Sequence, residues 1–132
     1  MAAERHFEQR FLDEEGIWLI TLPGRDFEVT IAGDRYAPAP EHVATLEKIV
    51  PSIDSLTDRA MAYLDEFVDR TRFANGQSWF FEGLTLGREA DAKPGDVTLD
   101  FSIEHDTYGF WSVVFRFSSG RFFPIKLVRA QT

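Results

Sequence analysis

The stretch "PEHVATLEKIVPSIDSLTDRAMAYLDEFV" (40–68) decides the fold. Its apolar residues Val43, Leu46, Ile49, Val50, Ile53, Leu56, Ala60, Tyr63, Leu64, Phe67 and Val68 recur at steps of three and four. That spacing places them on one stripe of an α-helix. On either side the apolar period is two, so a long helix stands between two blocks of strand. Pro51 lies inside the stripe, where it removes a hydrogen bond and crowds the preceding turn. The apolar phase continues across it. The segment therefore reads as one kinked helix or two helices nearly in line, ending near Arg72. Asn75-Gly76 follows with residues that tolerate a left-handed stop.

Upstream, "RHFEQRFL" (5–12) reads as an edge strand. "GIWLITLP" (16–23) is apolar on both parities, with Ile17 and Leu19 on one and Trp18, Ile20 and Leu22 on the other. Such a strand is covered on both faces. Pro23-Gly24 turns the chain into "DFEVTIAG" (26–33), where Phe27, Val29 and Ile31 alternate with Glu28 and Thr30. These two strands form a hairpin. Downstream come "SWFFEGLTLGRE" (78–89), "VTLDFSIE" (97–104), "YGFWSVVFRF" (108–117) and "FFPIKLVRA" (122–130), separated by short turns. Short connections imply an antiparallel meander. Val97, Leu99, Phe101 and Ile103 point inward, as do Trp111, Val113, Phe115 and Phe117, and Pro124 argues for a sheet edge. The expected fold is α+β: a curved, mostly antiparallel sheet of six or seven strands in one domain, 1–132, with the helix packed on one face. Phe110 and Val114, added to Trp18, Ile20 and Leu22, suggest a second, half-apolar sheet face that one helix cannot cover.

Composition bounds the function. The 132 residues suit one core, and 44% hydrophobic residues with 13 phenylalanines exclude a disordered chain. With no cysteine there is no disulfide, thiolate metal site or cysteine nucleophile, which fits a cytoplasmic protein. The N-terminal stretch "MAAERHFEQRFLDEEG" is charged throughout, unlike a secretory signal, and no apolar run is long enough to span a membrane. Net charge is −8, and residues 1–75 carry −7 of it (8 Lys/Arg against 15 Asp/Glu). After Asp106 only Arg116, Arg121, Lys126 and Arg129 remain charged. An acidic body repels phosphate backbones, so nucleic acid is not the expected partner, and a basic protein is a more natural one.

No P-loop, dinucleotide fingerprint, nucleophile elbow or metalloprotease helix is present. His6, His42 and His105 share no helical or strand spacing. Glu104-His105-Asp106 and Asp13-Glu14-Glu15 are explained by turns. Trp79, Phe80 and Phe81 beside Tyr108, Phe110 and Trp111 read as sheet core before they read as a ligand pocket. No catalytic, cofactor or metal residue is therefore assigned. The densest negative charge lies on the outer helix face, on Glu47, Asp54, Asp58, Asp65 and Asp69. That face is the first candidate for partner binding, and the sheet face around Phe110 and Val114 is the second.

From "DFEVTIAGDRYAPAPEHVATLEKIV" (26–50) to "YGFWSVVFRF" (108–117) the order of elements resembles small bacterial α+β families that include immunity proteins of polymorphic toxin systems. The resemblance implies a cofactor-free domain that binds another protein, and it carries over no site residue. The leading expectation is a non-catalytic bacterial protein-interaction domain. The alternatives are a small-molecule-binding domain or small enzyme with a cleft lined by Trp79, Phe81 or Trp111, and an accessory homodimer joined through sheet surface.

Overall fold

The computed structural model describes residues 8–12, 16–68, 79–88, 92–103 and 110–130. Three strands come first: β1 (Glu8–Leu12), β2 (Ile17–Thr21) and β3 (Glu28–Ala32). Helix α1 (Pro40–Ile49), a 3₁₀ turn (Val50–Ser52) and helix α2 (Ile53–Phe67) follow. The chain closes with β4 (Trp79–Leu86), β5 (Asp96–Ile103), β6 (Phe110–Ser118) and β7 (Arg121–Ala130). All seven strands form one open sheet in chain order, antiparallel everywhere except between β3 and β4. The helical segment is the crossover that a parallel pair requires. The architecture is the expected α+β one.

The 3₁₀ turn answers the question raised by Pro51. Ser52 (φ −122°, ψ 13°) leaves helical geometry, and Ile53 (φ −55°, ψ −47°) resumes it. The helix is thus two segments in one phase: Leu46, Ile49, Ile53, Leu56, Ala60 and Leu64 are all 0–2% exposed. The expectation that it continues to near Arg72 is corrected. Val68 is extended (φ −122°, ψ 120°) while its N–H still bonds Leu64 O at 2.8 Å, so the helix stops at Phe67. Val68 is itself buried, and a β-branched side chain accepts extended geometry readily.

Cross-strand register puts Ile20, Val29, Leu84, Leu99 and Val113 in one row under the helices. Trp18, Ile31 and Leu86 form a second row, and Phe81, Phe101 and Trp111 a third. Trp18, Ile20 and Leu22 therefore belong to the helix side. The second face loses Trp18, Ile20 and Leu22, and its apolar residues include Ile17, Leu19, Phe80, Val114, Phe123 and Val128. Two bulges adjust the rows, one between Phe81 and Gly83 and one beyond Val114. At the first, Gly83 has φ +156°, and a Cβ there would lie 2.5 Å from Glu28 O of the parallel neighbour. Only glycine lets β3 and β4 approach so closely.

Candidate functional site

The pattern that buries one stripe of α1 and α2 turns Glu47, Asp54, Asp58 and Asp65 outward, and all four are exposed. They are not equivalent. Asp65 Oδ1 accepts a 2.8 Å hydrogen bond from Trp79 Nε1, which fixes the start of β4 against the helix. Asp54 accepts from both terminal nitrogens of Arg25, at 2.8 and 3.4 Å. Glu47 and Asp58 have no ion pair among the described residues. Asp69 lies outside the described residues.

The helix cations face elsewhere. Arg59 donates to Phe122 O at 2.7 Å and lies 5.4 Å from the Phe115 ring centroid. Lys48 Nζ sits 4.6 Å over the Phe117 ring. Both cations are drawn onto β6 and β7 by π faces and a carbonyl. Glu47 and Asp58 make no ion pair with either helix cation.

Beside the start of α2 lies an open depression of about 600 Å³, lined by Gly24, Arg25, Asp26, Phe27, Ile53, Asp54, Thr57 and Phe81. Its wall begins at the Pro23-Gly24 turn, closed by Arg25 N–H to Leu22 O at 3.2 Å with Gly24 at φ +72°. Phe27 and Phe81 meet edge to face at 4.8 Å in its lining. The Arg25–Asp54 pair spans its mouth, with the two side chains 35% and 80% exposed. The hydrogen bond and charge of Asp54 hold Arg25 above its ordinary range, with Asp26 adding to the effect. Arg25 in turn holds the Asp54 carboxyl below its range.

The other sheet face carries a satisfied polar network across β4, β5 and β6. Thr85 and Ser112 donate to the two oxygens of Asp100, at 2.9 and 2.7 Å. Asp96 is 4% exposed, takes a bidentate pair from Arg116 at 2.7 and 3.0 Å, and accepts from Lys93 N–H at 3.0 Å. Burial pushes its carboxyl up, but Arg116 and the Lys93 N–H outweigh it, and the group titrates below the usual carboxylate range. Val114, one of the two sheet residues expected to meet a partner, is only 5% exposed. It lines a cavity of about 70 Å³ with Ala92, Arg116, Ile125 and Lys126, so it is covered by the protein's own side chains. That volume is far below the few hundred cubic ångströms of a typical ligand pocket. Phe110 stands opposite Ala130 in the sheet, and its side chain lies outside the described ones.

The aromatic residues considered for a cleft pack among themselves. Trp79 lies 6.4 Å from Phe101 and 6.3 Å from Trp111, and Phe81 lies 5.4 Å from Phe101, all on the helix side. Phe80 is on the opposite face and exposed. His42 is buried in α1 with its Nδ1 unpartnered and its ring against Gly87. His6, His105, Asp13-Glu14-Glu15 and Glu104-His105-Asp106 lie outside the described residues. Among the described residues no group of three or more His, Cys, Asp or Glu is placed to hold a metal. No described helix is long and apolar enough to cross a membrane.

The depression escaped the sequence reading. Its parts come from positions 24–27, 53–57 and 81, and no period links a turn to a helix start 29 residues on. The one local signal is Arg25-Asp26 directly after Pro23-Gly24, a charged pair on a turn that must project from the sheet.

These features define an α+β protein with an open seven-stranded sheet, helices on one face, and an acidic helix surface beside a partly apolar depression. Comparison with protein-family models, curated proteins and solved structures found no match.

Proposed function

We propose that this chain is a non-catalytic, cytoplasmic bacterial protein-interaction domain, of the immunity type, that captures a basic protein through the outer side of α1 and α2. The observation that carries this reading is the division of charge on the helices. Glu47 and Asp58 are exposed and without an ion pair among the described residues, while Lys48 and Arg59 are folded onto β6 and β7. Lys48 and Arg59 serve the fold through their contacts with β6 and β7, which leaves the neighbouring carboxylates to act outward. An exposed acidic face steers a basic partner at rates that fall with salt. Asp54 and Asp65 contribute to the same field but are already engaged, by Arg25 and by Trp79, so Glu47 and Asp58 report the open face more directly. The test uses Glu47→Lys with Asp58→Lys. Wild type and double variant are used as bait in a lysate of the native organism, and retained proteins are quantified by mass spectrometry. A basic protein retained by wild type and lost by the variant is expected. Equal retention by both, with circular dichroism unchanged, would sink the reading.

A second reading, an accessory homodimer, is favoured by one observation. Phe123, Ile125 and Val128 are 39–40% exposed along the edge strand β7. Sedimentation equilibrium of wild type and Val128→Lys decides it: a dimer that the substitution dissociates supports it, and a monomeric wild type at tens of micromolar removes it.

A further inference from the structure

We propose that the depression between the β2–β3 turn and α2 receives an arginine side chain of the basic partner, and that Arg25 occupies its place in the free protein. The inference rests on the basic-partner reading above and adds where the partner anchors.

Four observations carry it. Asp26 and Asp54 both line the depression, two carboxylates against the one guanidinium of Arg25. The lining also has an apolar part, with Phe27 and Phe81 meeting at 4.8 Å and the buried Ile53 beside the same space. An arginine needs both surfaces, a carboxylate for its planar fork and an apolar bed for its stem. The Asp54 carboxylate already presents both oxygens to a guanidinium, that of Arg25, at 2.8 and 3.4 Å. The second contact is long, so the fork is imperfectly seated. Finally, Arg25 comes from a Pro-Gly turn and its partner Asp54 is 80% exposed, so the pair can open without uncovering the core. An arginine approaching from solvent can align with the Asp54 carboxylate and lay its stem over the two rings. Arg25 then swings out into water, with Asp26 still beside it.

An amidated tetra-arginine peptide is the probe, titrated into the ¹⁵N-labelled full chain, with amidated tetra-glutamine as the uncharged control. Saturating amide shifts are expected at Arg25, Asp26, Phe27, Asp54 and Thr57 with the first peptide and not with the second. Asp54→Asn should weaken binding about fivefold, the upper end for an exposed ion pair. Arg25→Ala should tighten it by roughly two- to fivefold, because the competing guanidinium is gone. Arg121→Ala, which removes the same charge from β7, should change it by less than about twofold on the same scale. Both groove residues are exposed, so the variants keep the fold, and their amide spectra check this. Shifts centred on Glu47 and Asp58 with the groove amides unmoved would overturn the anchor and leave the basic-partner reading standing. Weaker binding by Arg25→Ala would overturn the stand-in role. No shift anywhere with tetra-arginine would overturn both the anchor and the reading beneath it.

Discussion

Replacing Phe101 by alanine removes the ring at the centre of the core. Phe101 is fully buried in β5, beneath the helices. Its ring meets Phe81 at 5.4 Å and Trp79 at 6.4 Å, and Trp111 is its partner on β6. A Phe→Ala change in a core costs about 3–5 kcal/mol, the lost transfer energy plus the cavity left behind. The upper half of that range applies, because the neighbours cannot collapse into the space. Trp79 is tied to Asp65 by its indole N–H, and Phe81 packs from the other side on Phe27. Each ring pair lost adds to the cost of lost area. About 4 kcal/mol is expected, a large share of the roughly 5–15 kcal/mol of a typical domain. Urea unfolding followed by tryptophan fluorescence measures it, with the slope against denaturant unchanged. Phe80→Ala is the control: next door but one register position away, 61% exposed on the opposite face, it should cost under about 0.5 kcal/mol. A Phe101 loss below about 1 kcal/mol, well short of the cavity range, or a Phe80 loss equal to it, would refute the assignment of sheet faces.

Three further outcomes are expected. Gly83→Ala should cost upward of about 2 kcal/mol by chemical denaturation, since φ +156° is strained for alanine and its Cβ would meet Glu28 O at 2.5 Å. Pro51→Ala should lower stability slightly, by about 0.5 kcal/mol, because Pro51 presets the 3₁₀ turn and no continuous helix is waiting to form; a clear rise in melting temperature would contradict this. The Asp96 carboxyl titrates lower folded than unfolded, so its stabilisation is fully present above the unfolded value of about 3.9 and is lost as pH falls through the folded value. Asp96→Asn should therefore flatten the fall in stability below about pH 4, measured by denaturation at several pH values, and an unchanged profile would show that the pair with Arg116 does not govern it.

Much of this fold is written locally. The change from period two to period 3.6 at Pro40 and the clean alternation of 97–103 fix which elements form, and short turns fix their order. The side on which β2 lays its residues was not legible, because Ile17–Leu22 is apolar on both parities. Only its register with Val29 and Ile31 decides that Trp18 and Ile20 face the helices. The helix end near Arg72 was misplaced because Val68 keeps the apolar phase of the stripe yet turns extended, so the helix stops at Phe67. Of the site, the acidic face was legible as a spacing of carboxylates. Their unequal employment was not. The bonds Asp54–Arg25 and Asp65–Trp79 join positions 29 and 14 residues apart. Val114 read as surface for a related reason: sequence alternation cannot reveal that the β4–β5 connection and β7 close over it.

The claim that the outer helix face acts on a basic protein is tested most directly by exchanging charge only where the fold does not use it. Wild type and the Glu47→Lys, Asp58→Lys variant are compared as bait for proteins of the native organism, at low and at high salt. A basic protein should be captured by wild type at low salt, diminished at high salt and absent from the variant, whose circular dichroism is unchanged. Capture of the same proteins in equal amount by both chains would contradict it.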